Sequence, residues 1–469
     1  MNQRPDDVIQ RLTQALGDAA IRPAEPRYLE EPRGRWQGRA GVVVAPSRTE
    51  EVARIIRIAS KTQTPVVPYS GGTGLVGGQI TETGAPIILS MERMTRIREV
   101  HTDENVIVAD AGCTLAAVQD AAATIGRLFP LSYGSEGTAR IGGALSVNSG
   151  GLNVLRYGMA RDLCFGIEAV LPDGSIFHGL KRLRKDNTGY DLRHLLIGAD
   201  GTLGVITGAS RRLVPRPTDI GTAMLAVPGP DAALSLYHFV QDRVGDGVSA
   251  FEILSGVGFD FLAEAGLPHK PVFDARPEWT VLMELGLFGE RDPSLMLEEI
   301  FAEAFEAGLV TDGVVASSGQ QRADLWAIRE TIPLANRAIG AIASHDVSLP
   351  LSEVAGFLAD APVALGKVAK TRINAFGHLG DGNIHFNLFP PKGQTREDFD
   401  NVRGALSDVV HDMVAARGGS FSAEHGIGRL KVATLQKFGD PARLAAMRAI
   451  KDALDPKGIM NPGAVLPEA

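Results

Sequence analysis

The chain has 469 residues, 44% of them apolar and 22% charged, an ordinary soluble composition with enough length for two or three packed domains. Its formal charge is −8, and acidic and basic residues are interspersed along the chain, so there is no basic stripe of the kind that nucleic-acid binding requires. Nucleic acid is therefore not expected as a partner. Two cysteines, an N-terminus without a secretion pattern and apolar runs well short of roughly 20 residues favour a cytoplasmic protein without disulfides or a transmembrane segment.

The N-terminal part of the chain predicts a strand, a helix and a second strand before a glycine-rich loop. The strand covers GVVVA at 41–45, and Ser47 to Glu50 has the spacing of a capping box that starts the helix. The loop, PYSGGTGLVGGQ at 68–79, contains the G-x-G-x-x-G spacing of a nicotinamide-binding turn. In that turn the glycines open a helix, whereas QITETGAP at 79–86 is rich in β-branched residues and ends in glycine and proline. The sequence therefore argues against a nicotinamide cofactor.

Two more glycine-rich loops follow, SEGTARIGGALSVNSGG at 135–151 and GADGTLGVITGAS at 198–210. Small side chains leave backbone amides accessible, and successive amides in a turn form a concave site for phosphate. The first loop taken by itself is also compatible with a flexible surface turn. The three loops together predict one long ligand that all of them contact.

The segment VPRPT at 214–218 is a stiff, proline-interrupted linker of the kind that separates domains. After it, residues 222–227, 231–242 and 249–254 predict a strand, a helix and a strand, and the following segments repeat this order. Two successive strand-helix-strand units are typical of an antiparallel α+β sandwich of ferredoxin type. We expect this layer to cover a substrate.

A hairpin is predicted over NAFGHLGDGNIHFNLF at 374–389, because Asp381-Gly382 is a strong two-residue turn signal. Pairing about that turn sets His378 opposite His385, with Cβ atoms roughly 5 Å apart, and Asn387 on the same face. The opposite face is apolar and is expected to be buried. Two imidazoles at this separation can bind one metal ion, although paired histidines also occur as hydrogen-bonded surface pairs.

A third metal ligand is available in SAEHGIGRLK at 422–431, where Glu424 and His425 lie in a glycine-bounded loop. Two imidazoles and one carboxylate leave a metal with open positions for substrate or water. These residues alone leave open whether the metal serves an oxidation or activates water for hydrolysis.

The ordered motifs resemble the flavin domain of the vanillyl-alcohol oxidase and p-cresol methylhydroxylase superfamily. Within it the chain is similar, from about residue 36 to Gly463, to the D-2-hydroxyacid dehydrogenases that act on D-2-hydroxyglutarate and D-lactate. The resemblance implies an α+β protein with a two-subdomain FAD-binding domain over residues 1–217. It also implies a ferredoxin-like cap over residues 218–420 and a small helical segment over residues 421–469 that returns to the flavin.

The resemblance implies FAD, with its pyrophosphate on the first glycine loop. That loop contains no histidine, so we expect the flavin to be held without a covalent bond. The tail IMNPGAVL at 459–466 resembles a flavin-contacting segment, with Ala464 where lysine is usual. The residues implied to bind FAD are Ser70, Gly71, Gly72, Thr73, Gly74, Ser135, Gly142, Gly143, Asn148, Ile206 and Asn461.

The resemblance also implies that His378, His385 and Glu424 bind zinc and that His425 is the catalytic base. Arg329, in LWAIRE, matches a substrate carboxylate-binding arginine, and Asn387 is expected to orient substrate or flavin. The expected reaction oxidises a D-2-hydroxy acid to the 2-oxo acid. His425 takes the hydroxyl proton, and a hydride moves from C2 to FAD.

Some positions depart from the family pattern, and other functions remain open. Ser344 stands where relatives often have lysine, and Pro333 where some have threonine, which leaves recognition of a second substrate carboxylate open. A metallohydrolase using His378, His385 and Glu424, and a flavin-binding protein without turnover, are the alternatives. The sequence does not distinguish an electron-transfer flavoprotein, a quinone or a cytochrome as electron acceptor, and homodimerisation is left open.

Overall fold

The computed structural model describes residues 5–34 and 36–468, and the chain divides into two compact units. The first unit contains the chain up to Gly151, then Tyr157–Arg216, and everything from Glu424 onward. The second contains Leu152–Arg156 and Pro217–Ala423. The chain passes from the first unit to the second between Arg216 and Pro217, inside the proline-interrupted segment at 214–218. Among the described residues, no helix is both long enough and apolar enough to cross a membrane.

Residues 5–216 form short helices and strands. The helices are α1 (Pro5–Leu16), α2 (Thr49–Thr62), α3 (Leu115–Ala123), α4 (Ile141–Val147), α5 (Val154–Tyr157) and α6 (Leu192–Leu196). The strands are β1 (Ile21–Arg22), β2 (Val42–Val44), β3 (Val66–Tyr69), β4 (Ile87–Ser90), β5 (Ile97–His101), β6 (Val106–Asp110), β7 (Arg127–Leu128), β8 (Cys164–Val170), β9 (Ile176–Gly179), β10 (Val205–Arg212) and β11 (Val214–Pro215).

Two sheets form the body of the first unit. One has the strand order β1-β2-β4-β3, with β4 parallel to both β2 and β3, and the other is antiparallel in the order β5-β6-β10-β8-β9. The predicted strand-helix-strand order is present as β2, α2 and β3. The capping-box spacing predicts a contact between Ser47 and Glu50. In the structure the Glu51 carboxylate makes it instead, accepting from the Ser47 amide at 2.8 Å. The chain runs from the glycine loop to β4 without a helix, which confirms the argument against a nicotinamide-binding turn.

The rest of the chain alternates strands and helices and then ends in helices. Residues 217–423 contain β12 (Asp219–Val227), α7 (Pro230–Val244), β13 (Val248–Ser255), α8 (Gly256–Glu264), β14 (Trp279–Leu287), α9 (Pro293–Glu306), β15 (Asp312–Val315), α10 (Gly319–Ile339), β16 (Ala343–Ser348), α11 (Leu351–Gly366), β17 (Arg372–His378), β18 (Asn383–Phe389) and α12 (Arg403–Ala416). The C-terminal helices, in the first unit, are α13 (Val432–Phe438) and α14 (Pro441–Leu454).

The second unit is built on one antiparallel sheet in the order β15-β12-β14-β13-β17-β18-β16. Its first four strands follow the order fourth, first, third, second, which is the ferredoxin-type arrangement that the sequence predicts. Alternate residues of β12 enter different cores: Leu225 belongs to the core that includes residues of α7, α9, α11 and α12, and Met224 to the core that includes residues of α8 and α10. Both faces of the sheet are therefore covered by helices.

The hairpin of β17 and β18 has a different register from the predicted one. His378 pairs with Asn383 and Phe376 pairs with His385, so the prediction that His378 lies opposite His385 is wrong. The connection has four residues, because Leu379–Asp381 form a short 3-10 turn and Gly382 closes it with φ of 75°. The shift is an even number of residues, so both histidines stay on one face as diagonal neighbours.

The other face of this hairpin is apolar and buried, as predicted. Phe386 is 1% exposed and its ring centroid lies 5.0 Å from that of Phe357 on α11. Changing Phe386 to Ala should lower the free energy of unfolding by about 3–5 kcal/mol, because it removes buried apolar surface and leaves a cavity. Denaturant unfolding measures this loss. The matched change Leu295→Ala, at a side chain 57% exposed, should cost about 0.5 kcal/mol or less. Equal losses in both variants would contradict the placement of Phe386 in the core.

Candidate active site

A cavity in the first unit is formed by the predicted glycine loops. It encloses about 850 Å³, part of it open to solvent, and Tyr133 and Arg140 are among its lining residues. Glycines and other small residues make up most of its lining, so backbone amides are accessible to a long ligand with phosphate groups. The predicted cofactor residues that the structure gathers in this lining are Ser70, Gly71, Gly72, Thr73, Gly74, Gly142, Gly143 and Ile206.

The glycines of the first loop are required by close packing as well as by ligand access. The amide of Gly143 donates to Ser70 Oγ at 3.0 Å, which joins the first loop to the start of α4. A Cβ on Gly71 would lie 2.3 Å from the carbonyl oxygen of Thr138. Gly72 has φ of 71°, and a Cβ there would meet the hydroxyl of Tyr69 at 2.1 Å. A larger residue at either position must displace the wall of the cavity.

Gly71→Ala should therefore weaken FAD binding. The added methyl group would clash with the backbone, and the rearrangement that relieves such a clash costs about 1–3 kcal/mol. Each 1.4 kcal/mol of this cost that falls on the FAD-bound state lowers the affinity for FAD tenfold. Gly137→Ala is the matched control, because a Cβ there meets nothing within 4 Å. Flavin bound per protein after dialysis measures the effect. Wild-type flavin content in the Gly71 variant would show that the loop does not line the FAD site.

Three of the predicted FAD residues shape loops and are not among those that line the cavity. The carbonyl of Ser135 accepts from the amides of Thr138 and Ala139 at 2.9 and 2.7 Å. Asn148 ends α4 in a left-handed conformation, and its side-chain oxygen accepts from the amide of Arg161 at 2.9 Å. The third is Asn461, whose side-chain oxygen accepts from Arg429.

Arg429 connects the glycine loop to the C-terminal tail, and the sequence analysis did not identify it. Its guanidinium donates to the carbonyls of Gly77 and Gly78 at 3.0 and 3.2 Å and to Asn461 Oδ1 at 2.8 Å. Asn461 in turn donates to the carbonyls of Gly78 and Asp200 at 2.9 and 2.6 Å. Burial lowers the pKa of Arg429 to about 10, against the opposing effect of nearby carboxylates. An arginine buried among backbone carbonyls holds several segments at once.

Asp200 anchors the segment that follows the predicted ligand Glu424. Its Oδ2 accepts from the amide of Gly428 at 2.8 Å. Burial raises the pKa of Asp200 to about 6, although amide hydrogen bonds from Gly428 and Ile427 oppose the rise. Within the first unit, the loop that carries Glu424 and His425 is thus fixed from its C-terminal side. His425 Nε2 lies 3.7 Å from Glu424 Oε1.

In the second unit, His378 and His385 lie side by side on the sheet face that α8 and α10 cover. Their ring centroids are 5.6 Å apart, with the rings close to perpendicular. Each histidine has a buried carboxylate beside it, on the strand that pairs with its own. His378 Nδ1 donates to Glu252 Oε1 at 2.5 Å, and His385 Nδ1 lies 3.8 Å from Asp346 Oδ1. An imidazole oriented by a carboxylate, as His378 is by Glu252, is typical of a ligand to a divalent metal, whereas 3.8 Å at His385 is too long for a hydrogen bond.

Glu252 also holds Arg329, the predicted carboxylate-binding residue on α10. Arg329 Nε donates to Glu252 Oε2 at 2.7 Å, and the guanidinium carbon lies 5.1 Å from the ring centroid of Phe376. Burial alone would raise the pKa of Glu252, but the charges and hydrogen bonds of His378 and Arg329 outweigh it and lower this pKa to about 2. An ionised carboxylate only accepts hydrogen bonds, so the Nδ1 atom of His378 carries a hydrogen.

Asn387 is buried on β18, two residues after His385. Its amide nitrogen donates to the His385 carbonyl at 3.2 Å. Ser344 of β16 lies directly opposite Asn387, so the position where relatives often have lysine belongs to this part of the sheet.

Glu424 and His425 belong to the first unit, but they follow Ala423, the last residue of the second. The Ala423 amide donates to the Asp346 carbonyl at 3.2 Å, and Ser422 pairs with Asp346 in a short parallel bridge. Within the second unit, Ala423 is therefore anchored beside the carboxylate that neighbours His385.

Comparison with known proteins agrees with these features. Residues 216–465 match the family described as FAD linked oxidases, C-terminal domain, and residues 40–179 match the FAD binding domain. The mitochondrial D-2-hydroxyglutarate dehydrogenase of Bos taurus is 38% identical over 449 residues, which cover 94% of this chain and 80% of that protein. The D-2-hydroxyglutarate dehydrogenase of Stutzerimonas stutzeri is 33% identical over 426 residues, 90% of each chain.

Solved structures show the same fold at low sequence identity. p-Cresol methylhydroxylase with substrate bound matches with a TM-score of 0.77 at 16% identity, over 99% of this chain and 97% of that one. Alkyldihydroxyacetonephosphate synthase matches with a TM-score of 0.73 at 17% identity, over 98% and 85%. Together with the family models and the relatives above 30% identity, these matches confirm the fold that the motifs imply. The chain belongs to the FAD-dependent D-2-hydroxyacid dehydrogenases of the vanillyl-alcohol oxidase and p-cresol methylhydroxylase superfamily.

Proposed function

We propose that this protein oxidises a D-2-hydroxy acid to the 2-oxo acid, with FAD in the cavity of the first unit and zinc on His378, His385 and Glu424. The observation that carries the metal is the pair of adjacent imidazoles, each next to a buried carboxylate. When bound, the metal lowers the pKa of the substrate hydroxyl and FAD accepts the hydride from C2. Two imidazoles and a carboxylate fit zinc and leave a position for substrate.

The protein's own residues bind the substrate and move its proton. Arg329 uses Nε for Glu252, and its planar guanidinium keeps two Nη groups to receive the substrate carboxylate in a bidentate manner. Asn387, held beside His385, orients the hydroxy acid through its amide. His425 accepts the hydroxyl proton, since an imidazole exchanges protons near neutral pH. Binding and orientation of this kind replace an intermolecular collision by a reaction within one complex.

D-2-Hydroxyglutarate is the first substrate to test, because the relatives above carry that name. Ser344 and Pro333 occupy positions where, in the family pattern, relatives often have lysine and some have threonine, respectively. Pro333 lies within α10, one turn after Arg329, and Ser344 lies opposite Asn387. We therefore propose that the group distal to the substrate's C2 is recognised by other residues than in those relatives, and that D-lactate is the second substrate to test.

The experiment is anaerobic mixing of the purified protein with D-2-hydroxyglutarate, D-lactate and their L enantiomers. Flavin and zinc are quantified first, and loss of the flavin absorbance then reports hydride transfer. We expect a yellow protein with about one zinc per chain whose flavin is reduced by a D enantiomer only. A colourless protein that cannot take up FAD would support the metallohydrolase. A coloured protein that no hydroxy acid reduces would mean that it binds flavin without this turnover.

A further inference from the structure

Glu252 is a carboxylate in the middle of a fully buried strand. Every residue of β13 is buried, Glu252 is 0% exposed, and its neighbours Phe251 and Ile253 are core residues. Burial of an ionised carboxylate costs several kcal/mol unless charges and hydrogen bonds compensate it. Partners that compensate this cost are therefore expected around a glutamate at such a position.

The two oxygens of Glu252 have different partners from different elements. Oε1 accepts from His378 on β17, directly across the strand pair, and Oε2 accepts from Arg329 on α10. Strand pairing fixes β13 against both β14 and β17, so the carboxylate is attached to an interior strand of the sheet. One side chain thus sets the positions of both an imidazole and a guanidinium.

We propose that Glu252 is a positioning residue that links the metal-binding imidazole of His378 to the substrate-binding guanidinium of Arg329, an inference that rests on the proposed function. Through Oε1 it keeps the hydrogen of His378 on Nδ1, which leaves Nε2 to bind the metal. Through Oε2 it holds Arg329 by Nε, which orients the two Nη groups for the substrate carboxylate. Loss of this carboxylate should therefore weaken metal and substrate together.

If Glu252 had only a structural role, its loss would not specifically weaken the binding of metal and substrate. A second carboxylate in the same sheet provides the control. Glu284 lies on the adjacent strand β14 and is partly buried, with Oε2 accepting from Trp326 Nε1 at 2.9 Å and Thr222 Oγ1 at 3.3 Å. Neither partner belongs to the proposed site. Glu252→Gln and Glu284→Gln make the same chemical change on neighbouring strands of one sheet.

The test uses the full-length protein loaded with FAD and zinc. Zinc affinity is measured by competition with a chromophoric chelator, and the visible spectrum of the cobalt-substituted protein reports the ligand geometry. Glu252→Gln should lower zinc affinity about 10–100-fold, alter the cobalt spectrum and raise the KM for the D-2-hydroxy acid. Glu284→Gln should change none of the three. Flavin content and melting temperature show that both variants are folded.

The outcomes separate this inference from the proposed function. A folded Glu252→Gln protein with wild-type zinc affinity, cobalt spectrum and KM overturns the inference alone. A wild-type protein that binds no metal overturns the proposed function and the inference with it. If Glu252→Gln does not fold, Glu252→Asp is measured instead, because it keeps the charge but shortens the reach. Reduced zinc affinity and raised KM in that variant support the inference, and wild-type values overturn it.

Discussion

His385→Asn should remove the bound zinc and slow the reduction of the flavin by a D-2-hydroxy acid about 1000-fold or more. His385 lies on β18, next to His378 on the same face of the sheet, and the shorter asparagine cannot place a nitrogen where the imidazole was. The substrate alcohol then keeps its proton near neutral pH. A metal contributes several kcal/mol to such a step, and each 1.36 kcal/mol is a factor of ten in rate. Zinc content and the rate of flavin reduction, measured by stopped-flow absorbance, check this expectation.

His411→Asn is the control for this change. His411 lies on α12, which covers the sheet face opposite the proposed ligands His378 and His385, and its ring meets that of His345 edge-on with centroids 5.2 Å apart. This variant should keep its zinc and reduce its flavin at the wild-type rate. FAD should stay bound in both variants, because its cavity is lined by residues of the first unit. The proposed ligand set would be wrong if His385→Asn retained one zinc per chain and a rate within tenfold of wild type.

His425→Ala should slow flavin reduction about 100- to 10,000-fold while FAD and zinc remain bound. General base catalysis by a positioned side chain contributes this much, and the loop that holds His425 is anchored independently through Asp200 and Gly428. The rate is measured anaerobically at a saturating concentration of the D-2-hydroxy acid. Imidazole added to the buffer should restore part of the activity, since it supplies the missing proton acceptor.

The control for this variant is His194→Ala, in the same unit, where the side chain is 44% exposed. It should reduce its flavin at the wild-type rate, with or without imidazole. If His425→Ala also kept the wild-type rate, another group would have to accept the hydroxyl proton. A slow His425→Ala protein that has lost its zinc would instead make His425 a metal ligand.

The glycine loop shows what local sequence can predict. The residues after it, 79–86, combine β-branched side chains with glycine and proline, and the chain there has no helix before β4. Glycine, proline and β-branched residues disfavour a helix through their own backbone and side-chain preferences, so this part of the prediction holds. The requirement for glycine at position 71 is not local, because the backbone that a Cβ there would meet belongs to Thr138, which is distant in sequence. Local patterns contain no information about such a contact.

The hairpin shows where a local turn signal fails. The alternation of apolar residues correctly placed both histidines on one face, since that depends only on the two-residue period of a strand. The register depended on the turn, and Asp381-Gly382 predicted a connection two residues shorter than the observed one. Gly382 packs against the carbonyl of Leu349, where a Cβ would lie 2.2 Å away, and Gly380 packs against Leu155. These distant contacts select the longer turn.

The carboxylates of the second unit were missed for a related reason. Glu252 is separated by 77 residues from Arg329 and by 126 from His378, so no spacing in the sequence connects them. A signal did exist: a single glutamate in the apolar strand VSAFEILS. A buried charge in such a strand indicates a partner of opposite charge or a metal site. Arg429 gave no such signal, because its partners are backbone carbonyls and the Asn461 side chain, which lie far from it or carry no charge pattern.

The most direct measurement is anaerobic reduction of the bound flavin before and after zinc is removed by a chelator, and again after zinc is returned. We expect rapid bleaching by a D-2-hydroxy acid in the zinc-loaded protein and recovery of that rate when zinc is restored. Without zinc, at least about 99% of the rate should be lost, because the metal lowers the activation free energy by several kcal/mol. Bleaching at an unchanged rate in the zinc-depleted protein would contradict the metal-assisted mechanism.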